Sequence, residues 1–320
     1  MMVSYIVKRV LITIPILLGV VFIVFSIMQF TPGNPASVIL GAQAEPWQIE
    51  QLNEQLGYNK PFFVRFFNYV INIVTKFDFG VSYKSGKPVV DEILLRFPMT
   101  FKLASISIVI SAFFGILLGI FSAVKQYTAL DTSLTVLALL FAAVPSFWLA
   151  LMLILVFAVT WKILPTSGYG TVQHMILPII TLSVGGIAGI MRITRSAMLE
   201  TIRQDYIRTA RAKGATEKIV IWRHALKNAL LPVVTVLGMS FAGQLGGAVI
   251  TETIFALPGI GQYMVTAIRA KDDPVVLTGT LFLAALFCLI VLLLDIIYAL
   301  IDPRIRARFI KTKKGGKAHA

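Results

Sequence analysis

Charged residues are scarce in this chain. Of its 320 residues, 14% are Asp, Glu, Lys or Arg and 57% are hydrophobic, whereas a soluble domain carries about 25% charged residues. The composition therefore indicates a membrane protein. A single cysteine, Cys288, excludes a disulfide framework and a cysteine-based metal site. The three histidines lie too far apart in sequence to suggest a set of metal ligands: His174, His224 and His319.

Motifs for nucleotide binding and catalysis are also lacking. A P-loop requires G-x-x-x-x-G-K-[ST], and the nearest match, Gly86-Lys87-Pro88, lacks the final Ser or Thr. There is no dinucleotide-binding fingerprint, no H-E-x-x-H and no nucleophile elbow. We therefore expect no catalytic residue, no metal site and no cofactor bound by this chain. Any active transport would draw its energy from a partner.

Six apolar runs are long enough to span a bilayer, which takes about 17 to 25 residues. The third run has about 28 residues, or roughly 42 Å as a helix, against a hydrocarbon core of about 30 Å. It must therefore tilt or bend, and Pro145 is the expected place. The fourth run is the shortest. The predicted spans are 10–30, 103–124, 134–161, 175–191, 230–250 and 277–301.

Lysine and arginine are distributed unevenly between the connecting segments. With a cytoplasmic N-terminus, nineteen of them lie in cytoplasmic segments, three lie in short outer loops, and seven lie in or beside the long segment 31–101. Because short basic loops stay in the cytoplasm, we expect both termini to be cytoplasmic. The basic tail 303–320 then fits a topology signal facing membrane lipid rather than a nucleic-acid site.

The first span and the segment after it have two interpretations each. Ala42-Gln43-Ala44 looks like a signal-peptide cleavage site, but it lies about a dozen residues beyond a run that is long for a signal core. We therefore expect the span to be retained. In the outer segment, a short helix is predicted at 47–56, closed by Gly57. The aromatic stretch 62–70 favours an interfacial helix packed on the bundle over a peptide-binding groove.

Small residues recur at four-residue spacing within the spans, as at Ser111, Gly115 and Gly119. Such stripes allow close helix packing, and they also permit helices to slide or pivot beside a pathway. Acidic residues in the spans are few, and a solvated or paired structural role is favoured over a functional one for both Glu252 and Asp295. The candidate packing or pathway residues are Gly185, Gly189, Gly238, Gly243, Gly246 and Glu252.

The most informative stretch is a polar, basic island between the fourth and fifth runs, residues 203–228, with the sequence RQDYIRTARAKGATEKIVIWRHALKN. About 25 residues exceed the needs of a simple connection. They suffice for two short helices joined at Gly214, which can adopt the left-handed backbone of a helix end, with Thr216 as the cap of the second helix. The predicted faces are Tyr206, Ile207 and Ala210 on the first helix, and Ile219, Trp222, Leu226 and Leu230 on the second.

A solvated basic loop would explain the charge of the island but not its helix–glycine–helix pattern, which favours a docking element. The island resembles the coupling loop of bacterial ABC importer permeases, whose motif is E-A-A, three residues, then Gly. Arg208, Thr209 and Ala210 occupy the E-A-A positions and Gly214 the glycine. The segments R-T-A-R-A-K-G and H-A-L-K-N-A-L-L-P, the latter beginning at His224, are similar to the peptide/nickel subfamily.

Four further segments resemble that subfamily, in order along nearly the whole chain. They are Thr31-Pro32-Gly33-Asn34-Pro35, Asp78-Phe79-Gly80, Val144-Pro145-Ser146-Phe147-Trp148, and residues 252–261 with Pro258-Gly259-Ile260-Gly261. The resemblance implies an all-α membrane protein with the six-helix fold of type I ABC importer permeases, in the bacterial cytoplasmic membrane. It divides the chain into 1–100 with the first span and the outer segment, a five-span core at 101–302 that contains the coupling loop 203–228, and the tail 303–320.

The resemblance also implies roles and partners. The long outer segment suggests the B-type subunit, which forms a heterodimer with a related C-type permease. Two cytoplasmic ABC ATPases using ATP and magnesium, and an extracytoplasmic substrate-binding protein, would complete an importer of di- or oligopeptides that works by alternating access. In it, Trp222 and Leu226 would brace the loop against the bundle. The implied coupling residues are Tyr206, Arg208, Thr209, Ala210, Gly214, Glu217, Trp222 and His224.

Two alternatives remain open. A permease of the same fold could carry nickel or another small solute, although no cluster of His, Met and carboxylate residues lies along the spans. An ion-coupled secondary transporter belongs to a different class. It would require an internal repeat or midplane charges, and the sequence contains neither.

Overall fold

The structure is a computed structural model that describes residues 2–31, 33–41 and 43–301. Within these residues every regular element is a helix, apart from an isolated antiparallel bridge between Val81 and Pro88. Helices suit an apolar chain in lipid because each backbone N–H finds its acceptor within the same segment. The basic tail 303–320 lies outside the described residues, and so do Pro32 and Ala42, which belong to two of the motifs above.

The helices follow one another along the chain with short connections. They are α1 (Met2–Phe30), α2 (Pro35–Leu40), α3 (Pro46–Gln55), α4 (Phe62–Lys76), α5 (Val89–Val124), α6 (Ala129–Ala143), α7 (Ser146–Leu153), α8 (Val172–Ile202), α9 (Asp205–Ala212), α10 (Glu217–Ile219), α11 (Leu226–Gly247), α12 (Val249–Ile254), α13 (Ile260–Arg269) and α14 (Asp273–Ile301). Two π-helical stretches, Ile154–Thr160 and Val220–Ala225, continue α7 and α10.

Five helices in the described part of the chain are long and apolar enough to cross a membrane, and a bent pair supplies a sixth crossing. The six predicted spans are confirmed in this form. The bundle has two ends, which are named here by what they carry. The island end carries the turn 125–128 and the basic island, and the outer-segment end carries residues 31–88.

The third span is the bent pair, in which the helix axis turns by 97° between Ala143 and Ser146. Pro145 has no N–H to continue the helix and keeps Val144 out of the helical conformation, so Val144 is extended with φ −72° and ψ 122°. The predicted bend at Pro145 is confirmed.

The fourth span is much longer than its apolar run. The shortest run, 175–191, lies inside the 31-residue helix α8, which continues through polar residues to Ile202. The apolar run therefore understates the length of the helix that contains it. One physical reason is that Arg195, beyond residue 191, finds a partner on a neighbouring helix in Asp131, so the helix has no need to end where its hydrophobicity does.

Close packing of α5 on α8 depends on small residues. A Cβ atom at Gly115 would lie 2.7 Å from Cβ of Ile190, and one at Gly119 would lie 2.6 Å from Cβ of Thr194. Neither approach leaves room for a side chain. The packing role predicted for this stripe is confirmed.

The outer segment is a set of short helices that packs on α1. The predicted helix at 47–56 is confirmed as α3, and Gly57 follows it with φ +67°. Phe62 of α4 makes edge-to-face ring contacts with Phe22 and Phe25 of α1, at centroid distances of 6.0 and 5.2 Å. Helix α4 therefore packs on the bundle, as expected for an interfacial helix.

A lysine just before the last span is hydrogen-bonded to the end of the first span. Lys271 is buried, with a left-handed backbone at φ 51°. Its Nζ donates hydrogen bonds to the carbonyl oxygens of Met28 and Thr31, at 3.2 and 2.5 Å. These carbonyls belong to the C-terminal end of α1, where helix acceptors lack intrahelical donors and cations are favoured. At the island end the same two helices are joined again, by an ion pair of 3.1 Å between Arg9 and Asp295.

The next two residues, Asp272 and Asp273, bind two parts of the outer segment. The Asp272 carboxylate accepts hydrogen bonds from the Ser82 hydroxyl at 2.6 Å and the Tyr83 N–H at 3.1 Å. Asp273 lies 3.7 Å from the Arg65 guanidinium of α4. Three consecutive residues, Lys271 to Asp273, thus attach the end of α1, the loop at 82–84 and α4 to the start of α14.

Candidate functional site

The basic island turns at Gly214. Helix α9 ends at Ala212, and Gly214 follows with φ +83°, a left-handed conformation that favours glycine. Its N–H donates to the Arg211 carbonyl at 2.9 Å. A Cβ atom placed on Gly214 would meet nothing within 4 Å, so the backbone conformation alone demands glycine here. The predicted left-handed turn is confirmed.

The second helix of the island is not a separate short helix, as the sequence had suggested. It begins at Glu217 and runs through the π-helical stretch into α11, ending at Gly247. Thr216 occupies the N-cap position with an extended backbone, but its side chain makes no capping hydrogen bond. The second arm of the island is therefore a continuous extension of the fifth span.

The predicted face of the second helix is correct for two of its four residues, because Leu226 and Leu230 are half-buried. Ile219 and Trp222 are exposed, at 44% and 45%, whereas Val220, Ala225 and Ala229 are buried. The buried residues are spaced by five and then four positions. A π-helical turn has i→i+5 hydrogen bonds, so it rotates the buried face away from the 3.6-residue period. Trp222 therefore does not brace the island against the bundle, whereas the half-buried Leu226 does pack against the cluster that contains Met198 and Ile207, as expected.

The first helix of the island packs through one residue. Ile207 is fully buried against a cluster that includes Val220 and Met198, while Ala210 is half-buried. Tyr206 does not share that face and is 42% exposed. Its hydroxyl accepts a 2.7 Å hydrogen bond from the Asn228 side-chain amide, which ties α9 to α11.

An ion pair closes the turn around Gly214. Arg211 donates from Nε and Nη2 to the two carboxylate oxygens of Glu217, at 2.7 and 3.2 Å. The other predicted coupling residues lie around it. Arg208 and Thr209 are exposed, and the half-buried His224 offers its backbone carbonyl to Asn228. Their role in coupling stays a prediction.

The surface of the island combines charge with apolar anchors. Tyr206, Ile219 and Trp222 are each more than 40% exposed. Large aromatic side chains and arginine are characteristic of the residues that dominate protein–protein interfaces. Exposed basic side chains lie in the same stretch: Arg208, Lys213, Lys218 and Arg223.

The candidate pathway glycines divide into two groups. Gly238 packs against Leu294 of α14, so it serves helix packing. A Cβ atom at any of the other four would meet nothing within 4 Å: Gly185, Gly189, Gly243 and Gly246. These four mark helix faces of α8 and α11 that this chain leaves open. Gly186, which the sequence pattern did not single out, makes the close contact instead, against Ser111.

Glu252 is fully buried beside the fifth span, in α12. Its carboxylate accepts hydrogen bonds from the Thr100 hydroxyl of α5 at 2.6 Å and from the N–H of Gln262 at 3.1 Å. A Cβ atom on Gly259 or Gly261 would overlap this carboxylate, which explains both glycines of that turn. Burial raises the pKa of Glu252, and the hydrogen bonds from Thr100 and Gln262 oppose that rise. The residue serves to hold α5, α12 and α13 together.

The ion pair between Asp131 and Arg195 was not predicted from the sequence. Asp131, in the first turn of α6, is bound by Arg195 of α8 at the island end. The two residues are 64 positions apart, so no local pattern connects them. The available signal was an arginine just beyond the fourth apolar run, and an aspartate just before the third.

Comparisons with known proteins cover nearly the whole chain. Residues 115–307 match the family described as binding-protein-dependent transport system inner membrane component, and residues 2–104 match its N-terminal membrane component. The dipeptide transport system permease protein DppB of Alkalihalophilus pseudofirmus is 40% identical, over 95% of this chain and 100% of that protein. The oligopeptide transport system permease protein AppB of Bacillus subtilis is 38% identical, over 95% and 99%. DppB of Escherichia coli is 36% identical, over 95% and 99%.

Two solved structures share the fold. An inward-facing MetNI methionine ABC transporter matches with a TM-score of 0.56 and 20% identity, over 67% of this chain and 98% of that one. An amino acid ABC transporter solved with histidines matches with a TM-score of 0.51 and 14% identity, over 67% and 94%.

Proposed function

The chain belongs to the family of binding-protein-dependent transport system inner membrane components, and from this premise we propose that it is the permease subunit of an ATP-driven importer of dipeptides or oligopeptides. It is a multi-pass protein of the inner membrane. Peptide is favoured over nickel because three similar proteins that match over nearly the whole chain are named as dipeptide or oligopeptide permeases.

The geometry of the island is the main observation that supports coupling to an ATPase. A short helix, a left-handed glycine and a long continuous helix follow one another between the fourth and fifth spans. Exposed aromatic and basic side chains cover this element. We infer that a cytoplasmic ATPase docks on the island. ATP hydrolysis by this ATPase would supply the energy for transport, because the chain itself has no P-loop.

Movement of the docked ATPase would reach the membrane through two rigid connections. The helix from Glu217 to Gly247 has no break, so a displacement at the island moves the whole fifth span. Only two residues separate the end of α8 from the start of α9, so α8 would move when α9 moves. A rigid-body movement of packed helices of this kind is a common route for switching between two states. In the importer, this movement would open the pathway alternately to the two sides of the membrane.

A second permease subunit fits the open faces of α8 and α11. The four glycines without neighbours offer close backbone approach to another helix or to a passing solute. A heterodimer would place two such faces opposite each other. An extracytoplasmic binding protein would then deliver peptide to the outer-segment end.

Reconstitution tests the proposal directly. The chain is incorporated into liposomes with its partner permease and ATPases, and with the binding protein supplied at the outer-segment side. We expect ATP-dependent uptake of a labelled dipeptide and no uptake when the ATPases are omitted. Uptake of Ni²⁺ without dipeptide would replace the peptide assignment, and uptake driven by an ion gradient without the ATPases would overturn the whole proposal.

A further inference from the structure

The turn between the second and third spans presents an aromatic residue at the island end. Tyr127 is 84% exposed and has a left-handed backbone, with φ +65°. Positive φ is uncommon for a residue other than glycine and persists only where the surroundings impose it. The backbone conformation at this exposed residue is therefore built into the structure.

The neighbouring residues show how the turn is held. The Asp131 carboxylate, 5% exposed, accepts the Tyr127 N–H at 3.0 Å and the hydroxyl of Ser122. The Thr128 hydroxyl donates to the Lys125 carbonyl at 2.6 Å. The turn is thus fastened at both of its ends, to α5 and to the first turn of α6.

Arg195 fixes the turn to the fourth span. It donates to both oxygens of Asp131, from Nε at 2.7 Å and from Nη2 at 2.8 Å. Such a bidentate pair has a defined geometry, and breaking it leaves a buried charge without a partner. Arg195 lies about two helical turns before the island begins.

The turn and the island border the same cavity. A cavity of about 270 Å³ is lined by Gln126 and Tyr127 from the turn, and by Arg203, Arg211 and Glu217 from the island. A partner that covers the island would therefore lie within reach of the turn.

We propose that Tyr127 is a second docking residue for the cytoplasmic ATPase, and that Asp131 and Arg195 are positioning residues that hold it in place. The proposal rests on the proposed function, because it takes the ATPase as the partner of the island. An aromatic side chain on a fixed backbone is a strong anchor, since little freedom is lost when it binds. The matching surface on the ATPase would be an apolar pocket with acidic residues around it, because Lys125 and Arg203 are exposed beside Tyr127.

A membrane-facing role accounts less well for the same observations. Tyrosines that anchor a helix at the lipid interface need only sit at the headgroup level. They require neither a left-handed backbone nor a buried ion pair to set their direction. Contact with lipid is nevertheless a distinct outcome of the test below.

Photo-crosslinking in the assembled transporter separates these outcomes. A photoreactive phenylalanine analogue is placed in turn at Tyr127, at Arg208 of the island and at Tyr169. Tyr169 is an equally suitable exposed tyrosine (64%) in the loop at the opposite end of the bundle. We expect ATPase adducts from Tyr127 and Arg208 and none from Tyr169. Adducts from Arg208 alone, or lipid adducts from Tyr127, would overturn the docking role of Tyr127 and leave the proposed function standing. Adducts from neither position would overturn both.

Substitution tests the anchor and its support. Tyr127→Ala is expected to weaken the apparent affinity for the ATPase about tenfold, as truncation of an aromatic anchor does, whereas Tyr169→Ala should leave it unchanged. Asp131→Asn should lower the crosslinking yield from Tyr127 while the yield from Arg208 stays constant. A merely structural loss would lower both yields together. Equal affinity of Tyr127→Ala and the native chain would refute the proposal even if Asp131→Asn failed to fold.

Discussion

The Glu252 carboxylate accepts a 2.6 Å hydrogen bond from the hydroxyl of Thr100, a residue 152 positions earlier in the chain. The same hydroxyl oxygen accepts the N–H of Ile260 at 3.0 Å. Thr100 therefore joins the second span to the first turn of α13 and satisfies two buried polar groups at once. The arrangement makes this outer turn a fixed part of the bundle.

Thr100→Val keeps the shape of the side chain but removes the hydroxyl. It would leave the N–H of Ile260 without its acceptor and Glu252 without one of its donors, which costs about 1–3 kcal/mol of unfolding free energy. The measurement is thermal unfolding of the detergent-solubilised protein. Thr209→Val is the matched control, because that exposed hydroxyl bonds only within its own helix. Equal stability of the two variants would contradict the assignment.

The stability should also depend on pH through Glu252. Because the pKa of Glu252 is raised above its usual 4.5 by burial, the folded state binds more protons than the unfolded state. Stability from this group is then complete below pH 4.5 and decreases as pH rises through the higher folded-state pKa. Glu252→Gln should remove this decrease. Melting temperatures of the two proteins from pH 4 upward would test it, and parallel curves would exclude the effect.

Gly214→Val should uncouple the transporter without unfolding it. A β-branched residue at φ +83° costs about 1–2 kcal/mol or more, and no neighbour adds a clash. The strain would shift α9 rather than disrupt the spans, whose hydrogen bonds are internal. We expect normal membrane abundance, weaker co-purification of the ATPases and reduced uptake, with Gly214→Ala milder.

A matched control for this change is Gly170→Val. Gly170 also has a positive φ, +112°, and open space around it, but it lies at the opposite end of the bundle. It should leave ATPase binding intact. If Gly214→Val bound the ATPases and took up peptide normally, the island would not be the coupling element.

Both ends of the chain should face the cytoplasm. The uneven distribution of Lys and Arg predicts this orientation. A fluorescent reporter that matures only in the cytoplasm, fused after His319, should be active. An exported phosphatase fused at the same place should be inactive, and the reverse pattern would refute the topology.

The purified chain should not hydrolyse ATP by itself. It has no phosphate-binding loop, so hydrolysis should appear only when the ATPases are added back. Phosphate release by the chain alone, after repeated purification in the absence of every ATPase subunit, would be inconsistent with a pure transport subunit.

Features that depend on local chemistry could be predicted from the sequence. The six crossings follow from apolar length, the bend from Pro145, and the left-handed turn from Gly214 between two polar helical patterns. Each of these needs only the residues around it. The resemblance of the island then led to the family, although two of its three leading motif residues differ from the general form.

Features that depend on distant partners could not be predicted. The π-helical stretch Val220–Ala225 rotates the buried face, so a count of 3.6 residues per turn selected Trp222 where the structure buries Val220 and Ala225. The pair of Asp131 with Arg195 joins elements 64 residues apart. Nothing in the local pattern distinguishes these charges from solvated ones.

The attachment by Lys271, Asp272 and Asp273 sets an order of events during synthesis. Lys271 reaches a carbonyl made 240 residues earlier, and Asp272 reaches a serine made 190 residues earlier. Until the ribosome has produced residue 271, the end of the first span and the loop at 82–84 lack these partners. These particular attachments can therefore form only after residues 271–273 have been made, whereas the ring contacts of α4 with α1 need no later part of the chain.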